Sequence, residues 1–352
     1  MGTNLSISNF KRWPWPFMAG LLLFILLQVG LERSAGFWRY VERNGRFHFD
    51  DALRFESVLR GIPRQTPFKK VFLIGTSQAR EDIDVAYLNE QFKDRNIRFY
   101  DLGVIGTFYP VDLYMLKDRL IAARPDAIFY TPFVETFYTP YKIQPVNNLE
   151  YYFNPNILPY LAKHLRREDY DKDFRGDFLD VFAGSFSLFY RFRNHFDEIF
   201  YASFKYSLGV EKRPLPMDSF FTEPYPDSYF EKQIEKYKKE QRYRYTRYTD
   251  LYQDLFDVFA RDVVAHDIRL IVSGCPLHPL FPKICSPQVL EGYDDFLTEQ
   301  SRRIGFTFAP HAELPPFAAE EFNDFTHLTR AGRARYTRYL IDYFERELET
   351  LK

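Results

Sequence analysis

The chain has 352 residues and a formal net charge of −1 at pH 7. Because its charges nearly balance, the composition gives no indication of a polyanionic partner such as nucleic acid. The length is sufficient for one large domain, or for a domain that carries a substantial insertion. The 38 Phe and 26 Tyr residues are mostly expected in the core, although such rings also stack on sugars.

The N-terminal region contains an uncharged apolar run, Phe17–Leu31, which follows the basic and tryptophan-containing segment Lys11–Trp15. About twenty residues are needed to cross a bilayer, so the run is long enough only if this flank contributes. A signal anchor over residues 1–35 is the favoured prediction, and a signal peptide cleaved near Ser34–Gly36 is the alternative. The positive flank predicts a single-pass protein of the cell membrane whose remaining residues lie outside the cytoplasm.

A polar connector is predicted next, over residues 36–68, with helical periodicity only around Asp51–Leu59. We expect this juxtamembrane segment to hold the globular part, residues 69–352, away from the membrane. No second apolar run of membrane-spanning length follows it.

Buried strands and helices alternate from residue 69 to residue 131. The apolar runs predict strands at Lys70–Ile74, Ile97–Leu102 and Ala127–Tyr130. A helix capped by Asp84 and a helix starting near Pro110 lie between them. Alternation in units of about thirty residues indicates a parallel sheet with helices on its faces.

The alternation stops at residues 132–245, a long and mostly helical insertion, and resumes after it. The later elements are strand four at Ile268–Ser273, a helix at Pro287–Ile304, strand five at Phe306–Phe308 and a last helix capped by Thr329. The predicted fold class is therefore α/β, with a doubly wound five-stranded parallel sheet.

Two cysteines, Cys275 and Cys285, lie ten residues apart in a part of the chain that the signal anchor would place in an oxidising compartment. A disulfide that closes this short loop would contribute roughly 2–3 kcal/mol, and two independent thiols are the alternative. Neither cysteine belongs to a CxxC pair or a metal-ligand pattern, and the sequence predicts no metal and no cofactor.

Three segments near the ends of the predicted strands carry residues suited to chemistry. Ser77 follows strand one, the loop Gly103–Gly106 follows strand two, and Asn323–Thr329 precedes the last helix. Because the carboxyl ends of parallel strands lie along one edge, we expect these segments to meet there. Each is weak alone, since a serine after a strand is usually a turn residue and Asp-x-x-His often occurs by chance.

A serine hydroxyl becomes an effective nucleophile when a base accepts its proton and a carboxylate orients that base. His327 is the candidate base, and Asp324, three residues earlier, is the candidate carboxylate. The backbone N–H groups of Ser77 and Gly106 are the candidate donors to an oxyanion. The predicted catalytic residues are therefore Ser77, Asp324 and His327.

The set GTS after strand one, a glycine loop after strand two and DxxHLT before the last helix resembles the SGNH/GDSL hydrolase superfamily. The resemblance covers residues 69–131 and 250–350 and leaves the insertion unmatched. It implies a flavodoxin-like sheet. The family's functional residues carry over onto four positions: Ser77, Gly106, Asp324 and His327.

Two departures from the family pattern stand in this sequence. Thr76 replaces an aspartate beside the serine, a residue that takes no part in the chemistry. The third block, Thr131–Thr136, lacks the family's asparagine, which removes an oxyanion donor worth about 3–4 kcal/mol. Thr131 and Thr136 are candidates to replace it, and the pair Asn147–Asn148 is a further candidate that the sequence does not place.

With its signal anchor, the chain is similar to membrane-anchored envelope proteins such as the D-alanyl transfer protein of teichoic acid synthesis and exopolysaccharide O-acetyltransferases. This similarity implies a serine esterase or O-acyltransferase that acts on a cell-envelope glycopolymer, beside a membrane-bound O-acyltransferase. A catalytically degenerate binding or scaffold partner of such an acyltransferase is the alternative. A third function, an esterase that faces lipid, is suggested by phenylalanines along the predicted helix Asp177–Phe196, namely Phe182, Phe186, Phe189, Phe192 and Phe196, although such residues are more often core.

Overall fold

A parallel five-stranded sheet forms the centre of the computed structural model, with the strand order β2-β1-β3-β4-β5. The strands are β1 Lys69–Gly75, β2 Ile97–Gly103, β3 Ala127–Thr131, β4 Arg269–Ser273 and β5 Thr307–Ala309. Every pairing is parallel, and Gly75 at the end of β1 lies opposite Gly103 on one side and Thr131 on the other. The predicted five-stranded parallel sheet is therefore confirmed.

In the part of the chain that the structure describes, three helices precede the first strand, and the other helices lie between or after the strands along the chain. Residues of these helices pack on both faces of the sheet. The helices are α1 Trp15–Arg33, α2 Ala35–Asn44, α3 Asp51–Gly61, α4 Ser77–Glu81, α5 Val85–Gln91, α6 Pro110–Ala122, α7 Leu158–His164, α8 Asp227–Glu240, α9 Thr249–Ala265, α10 Pro287–Ile304 and α11 Arg330–Leu348. Short 3-10 turns lie at Lys93–Arg95, Val134–Thr136, Pro155–Ile157, Phe281–Lys283, His311–Glu313 and Ala319–Glu321.

The structure describes residues 15–44, 51–63, 65–106, 108–138, 154–164, 187, 190, 205, 208–210, 223–240 and 249–349. Nearly all of the predicted helix Asp177–Phe196, and the pair Asn147–Asn148, lie outside these residues.

The sheet is buried on both faces, which explains the unbroken apolar run in β1. Phe72 and Ile74 contribute to the core cluster on one face, which also contains residues of α6 and α9. Val71 and Leu73 contribute to the cluster on the other face, which contains residues of α5 and α11. Side chains alternate between the faces of a strand, so a strand buried on both sides needs an apolar residue at every position.

Helix α3, and helix α2 apart from its first residue, lie within the predicted connector 36–68, and both contribute buried residues. Trp38 of α2 is 1% exposed, and Phe55 of α3 is fully buried in the core cluster beside α6. Arg54 Nη1 donates to the carbonyl oxygen of Gly103 at 2.6 Å, which joins α3 to the carboxyl end of β2. Helix α3 is therefore packed against the sheet domain, whereas the sequence predicted a spacer in this region.

Helix α1 contains the apolar run for which the signal anchor was predicted. Within the described ranges, no single helix has both the length and the apolarity of a membrane span. The stretches Phe17–Arg33 and Ala35–Val41 meet those criteria only as a pair, with a bend of 74° between them. The signal anchor remains a prediction.

Both cysteines are free thiols in the structure, and they do not form the disulfide that the sequence analysis considered. Cys275 and Cys285 are each 1% exposed. Burial raises the pKa of Cys285 to about 12 and that of Cys275 still further. A thiol held protonated in this way is a poor nucleophile.

Candidate active site

The turn after β1 places Ser77 at the carboxyl edge of the sheet. β1 ends at Gly75, whose φ of 156° is a conformation that side chains rarely adopt. A Cβ on Gly75 would lie 2.6 Å from the carbonyl oxygen of Thr131, so glycine also permits the close approach of β3. Ser77 begins α4 directly after the buried Thr76, and it keeps partial exposure to solvent.

The glycine loop after β2 lies against the Ser77 turn, as the topology predicted. The backbone N–H of Val104 donates to the carbonyl oxygen of Gly75 at 3.0 Å. A Cβ on Gly103 would lie 2.6 Å from the backbone nitrogen of Arg80, so α4 packs directly on this glycine. Gly106 follows with a φ of 84°, in the left-handed region that favours glycine.

The segment before α11 forms a closed loop that carries Asp324 and His327. Phe322 and Leu328 pair as an isolated antiparallel bridge, and Asn323 N donates to the carbonyl oxygen of His327 at 2.8 Å. Inside the loop, Asp324 Oδ1 accepts the backbone N–H groups of Thr326 and His327, both at 2.8 Å. These bonds orient the aspartate and leave its second oxygen available to the imidazole ring.

Ser77, His327 and Asp324 form one continuous chain of hydrogen bonds. The His327 ring lies between Asp324 Oδ2, 2.8 Å from Nδ1, and Ser77 Oγ, 2.8 Å from Nε2. Because an ionised carboxylate only accepts hydrogen bonds, the network places the proton of the neutral ring on Nδ1 and leaves Nε2 to accept from the serine hydroxyl. A group arranged in this way can take a proton from Ser77 Oγ.

The charges around His327 favour its protonated form. Burial opposes that form, but the hydrogen bond and charge of Asp324, with the charges of Asp82 and Glu81, outweigh it and raise the pKa of His327 to about 9. Burial likewise opposes ionisation of Asp324, yet its hydrogen bonds to His327 and Thr326 hold its pKa below the usual range. The two side chains are therefore most stable together as an ion pair.

Two further acidic residues at this site did not emerge from the sequence motifs. Glu81 Oε2 is 3.8 Å from His327 Nε2, and Asp82 Oδ1 accepts the backbone N–H of Leu328 at 2.9 Å. The signal that could have identified Glu81 is its position four residues after Ser77, because residues four apart on a helix share a face. Within the part of the chain that the structure describes, no group of three His, Cys, Asp or Glu residues could hold a metal ion.

The two threonines considered as replacements for the third-block asparagine are both buried. Thr131 Oγ1 lies 2.5 Å from where a Cβ on Gly75 would stand. Thr136 is fully buried in a 3-10 turn, and neither hydroxyl makes a hydrogen bond among the described residues. Their role as oxyanion donors stays a prediction.

Part of the insertion packs against the loop that carries Asp324. Tyr225 N donates to the carbonyl oxygen of Asn323 at 2.9 Å. Phe230 of α8 stacks on His278 at 4.6 Å and meets Phe325 edge-on at 5.1 Å. Residues of the segment 223–240 therefore support the loop that carries Asp324.

Gly332 of α11 packs against the backbone of Glu321, just before the loop that carries Asp324. A Cβ at this position would overlap the carbonyl oxygen of Glu321, which accepts the N–H of Thr329 at 2.8 Å. We expect Gly332→Ala to destabilise the protein by about 1–3 kcal/mol, because a backbone atom must move to admit the methyl group. Urea unfolding of both proteins measures this difference.

The matched control is Gly36→Ala in α2, where the nearest atom to an added Cβ is 3.7 Å away. Alanine favours helix, so this variant should be at least as stable as the parent. Equal stabilities of Gly332→Ala and the parent would contradict the close contact at Glu321.

Comparisons with known proteins give structural likeness without sequence likeness. No family model matches the chain, and no curated protein matches it. The lipase/acylhydrolase from Enterococcus faecalis is similar in structure, with 8% identity and a TM-score of 0.38, over 80% of this chain and 96% of that chain. A provisionally assigned acylhydrolase from Bacteroides fragilis shows 10% identity and a TM-score of 0.39, over 86% of this chain and 99% of that chain.

Proposed function

We propose that this chain is a serine esterase or O-acyltransferase that works through an acyl-Ser77 intermediate. The observation that carries the proposal is the hydrogen-bond chain from Ser77 Oγ through the His327 ring to Asp324, with both distances at 2.8 Å. The groups stand in the order that activation of a hydroxyl requires, because a carboxylate orients a base that faces the nucleophile.

In the first half-reaction, Ser77 Oγ attacks the carbonyl carbon of an ester while His327 Nε2 takes the hydroxyl proton. Asp324 stabilises the imidazolium that forms. His327 then returns the proton to the leaving oxygen, the ester C–O bond breaks, and the alcohol departs from an acyl-Ser77 ester.

The carbonyl oxygen becomes negative in this step and requires hydrogen-bond donors. The backbone N–H groups of Ser77 and Gly106 are assigned to it in this proposal, and the bond from Val104 to Gly75 supports the nearness of their two loops. Each donor in such a site contributes about 10²–10³ in kcat. Without the family's asparagine, we expect a lower kcat than in a site with three donors.

The second half-reaction decides between the two named activities. His327 takes a proton from water or from a sugar hydroxyl, whose oxygen then attacks the acyl-Ser77 carbonyl. The serine leaves and recovers its proton from His327. Water yields a free acid and defines an esterase, whereas a sugar hydroxyl yields a new ester and defines an O-acyltransferase.

The proposed site of action is the outer side of the cell membrane, and the proposed substrate is a cell-envelope polysaccharide or related glycopolymer. The large apolar side chains between Phe17 and Leu27 are 42–68% exposed, a patch that favours contact with lipid. The end of α1 is joined to the domain, since Glu32 O accepts from Trp38 Nε1 at 3.1 Å and from Arg60 Nη1 at 2.7 Å. A membrane-bound O-acyltransferase is the proposed partner, because the sequence resembles membrane-anchored envelope proteins that act beside such an enzyme.

The function is tested with the purified full-length protein and an aryl acetate. We expect a burst of phenol that matches the enzyme concentration, followed by slower steady release, because the acyl-enzyme forms before it is resolved. Addition of a soluble glycan should then yield acetylated sugar if the protein is a transferase. No phenol release above buffer would contradict the enzyme and favour the scaffold alternative, which the missing asparagine motivates.

The pH dependence of this activity follows from the charges at His327. The base must be neutral to accept the serine proton, and its pKa is raised to about 9. The free base is therefore scarce at neutral pH, and kcat/KM should rise with pH along a limb centred well above 6.5, towards 9. Initial rates between pH 5 and 10 measure the limb, and a midpoint at or below 6.5 would contradict the ion-pair account.

A further inference from the structure

Two carboxylates beyond Asp324 lie on the α4 side of His327. Glu81 Oε2 is 3.8 Å from Nε2, the nitrogen that faces Ser77 Oγ. Asp82 Oδ1 accepts the N–H of Leu328, the residue that follows the histidine, at 2.9 Å. A serine, a histidine and one aspartate would complete the chemistry described above, so these two acids require an explanation of their own.

Both carboxylates are withdrawn from water. The Glu81 side chain is 5% exposed, Asp82 is fully buried, and Asp82 Oδ2 has no hydrogen-bond partner among the described residues. Burying a carboxylate is unfavourable unless a positive charge lies near it. Burial raises the pKa of Asp82 to about 8, and the charge of His327 opposes that rise.

We propose that Glu81 and Asp82 are positioning residues for His327. Asp82 fixes the main chain after the histidine to the helix that carries the nucleophile. Glu81 places a negative charge beside Nε2 and so favours the imidazolium that forms during the reaction. This inference rests on the proposed function, because it assigns both residues to the same serine-histidine pair.

The helix explains how one short segment supplies all three groups. Ser77 and Glu81 are four residues apart, so they lie one turn apart on the same face of α4. Asp82 ends the helix and reaches Leu328 from there. The histidine is thus held between Asp324 of its own loop and the acids of α4.

The charges of the two aspartates also affect other ionisable groups around the site. His278, in the loop after β4, and Tyr229 of α8 interact with Asp324. Cys275 and Tyr336 interact with Asp82. Among the groups that raise the pKa of His327, Asp324 acts most strongly, followed by Asp82 and Glu81. Neutral replacements of the two α4 acids should therefore lower this pKa.

The direct test is an NMR titration of His327 in full-length protein with isotope-labelled histidine. The signal is assigned by its loss in His327→Gln. We expect Glu81→Gln to lower the pKa of His327 by about one unit, because it removes an opposite charge close to the ring. Asp82→Asn should lower it as well, because Asp82, with a pKa of about 8, is ionised at the pH where His327 titrates. Glu90→Gln, an exposed acid on α5, is the control and should leave it unchanged.

Kinetics separate the electrostatic role from a purely structural one. In Glu81→Gln, the acid limb of the pH profile should move down by the same amount, and kcat at high pH should also fall, because the imidazolium that forms in the transition state loses a neighbouring negative charge. Asp82→Asn retains an oxygen acceptor for Leu328 N–H, whereas Asp82→Ala removes it and should lose rate at every pH. If Asp82→Asn does not fold, Glu81→Gln alone still decides the question of charge.

A pKa of His327 that is unchanged in Glu81→Gln and Asp82→Asn would overturn the inference. It would leave the proposed function intact as long as a serine-directed probe still labels the parent protein. Failure of the parent to react with the probe would instead count against the proposed function, whatever the titration shows.

Discussion

Ser77→Ala should lower kcat/KM for aryl acetate hydrolysis by on the order of 10⁶-fold, the scale seen when the nucleophile of a serine triad is removed. This loss is expected because the reaction depends on one oxygen atom, that of the Ser77 hydroxyl. Ser77 Oγ is the atom 2.8 Å from His327 Nε2, and without it the base has no hydroxyl to activate. The variant should also lose the phenol burst, because no acyl-enzyme can form.

The fold should survive this substitution. Ser77 is the first residue of α4, and its Oγ contacts His327 at the partly exposed edge of the sheet. Ser301→Ala is a suitable control, since this hydroxyl also lies on a helix but bonds the carbonyl oxygen of Phe306 at 2.6 Å. Activity in Ser77→Ala equal to that in Ser301→Ala would rule out Ser77 as the nucleophile.

Asp324→Asn should lower kcat by about 10⁴-fold without unfolding the loop. The two oxygens of this aspartate have different tasks. Oδ1 accepts the N–H groups of Thr326 and His327, and Oδ2 faces His327 Nδ1. An asparagine keeps the carbonyl at the first position and puts its NH₂ group at the second.

That NH₂ group can only donate, so His327 Nδ1 must become the acceptor and the proton must move to Nε2. A protonated Nε2 cannot take the proton of Ser77 Oγ. The matched control is Asp254→Asn, which alters another His–Asp pair, that with His164 at 2.8 Å, between α7 and α9. Turnover numbers of the two variants on one aryl ester should differ by several orders of magnitude, and similar values would contradict the role of Asp324.

The sheet was predictable because its signals are local and repeated. The run Val71–Ile74 is apolar at every position, as a strand buried on both faces requires. Thr329 caps α11 through its hydroxyl, which accepts from Gly332 N at 3.4 Å, and Asp84 caps α5 through Tyr87 N at 2.9 Å. Each of these features is set by residues a few positions apart.

The candidate site was predictable only in part. The meeting of Ser77 and His327, 250 residues apart, followed from topology, since parallel strands end at one edge. Glu81 and Asp82 carry no motif, and their place beside the histidine depends on how α4 meets the loop. The burial of Phe55 likewise depends on a tertiary contact, which a short amphipathic pattern does not disclose.

The support of the Asp324 loop by α8 is the least predictable feature. The sequence predicts a mostly helical insertion, and the structure has a helix within it at Asp227–Glu240. Its contact through Phe230 with His278 and Phe325 joins segments far apart in the chain. No periodicity in the insertion indicates which part of the sheet domain it will touch.

The central claim is that Ser77 is an activated nucleophile, and a fluorophosphonate probe tests it most directly. Such a probe bonds covalently to a serine whose proton is taken by a neighbouring base. We expect intact-protein mass spectrometry to show one adduct on the full-length protein, peptide mapping to place it on Ser77, and Ser77→Ala to remain unlabelled. An unlabelled parent protein, or equal labelling of the parent and Ser77→Ala, would contradict the account.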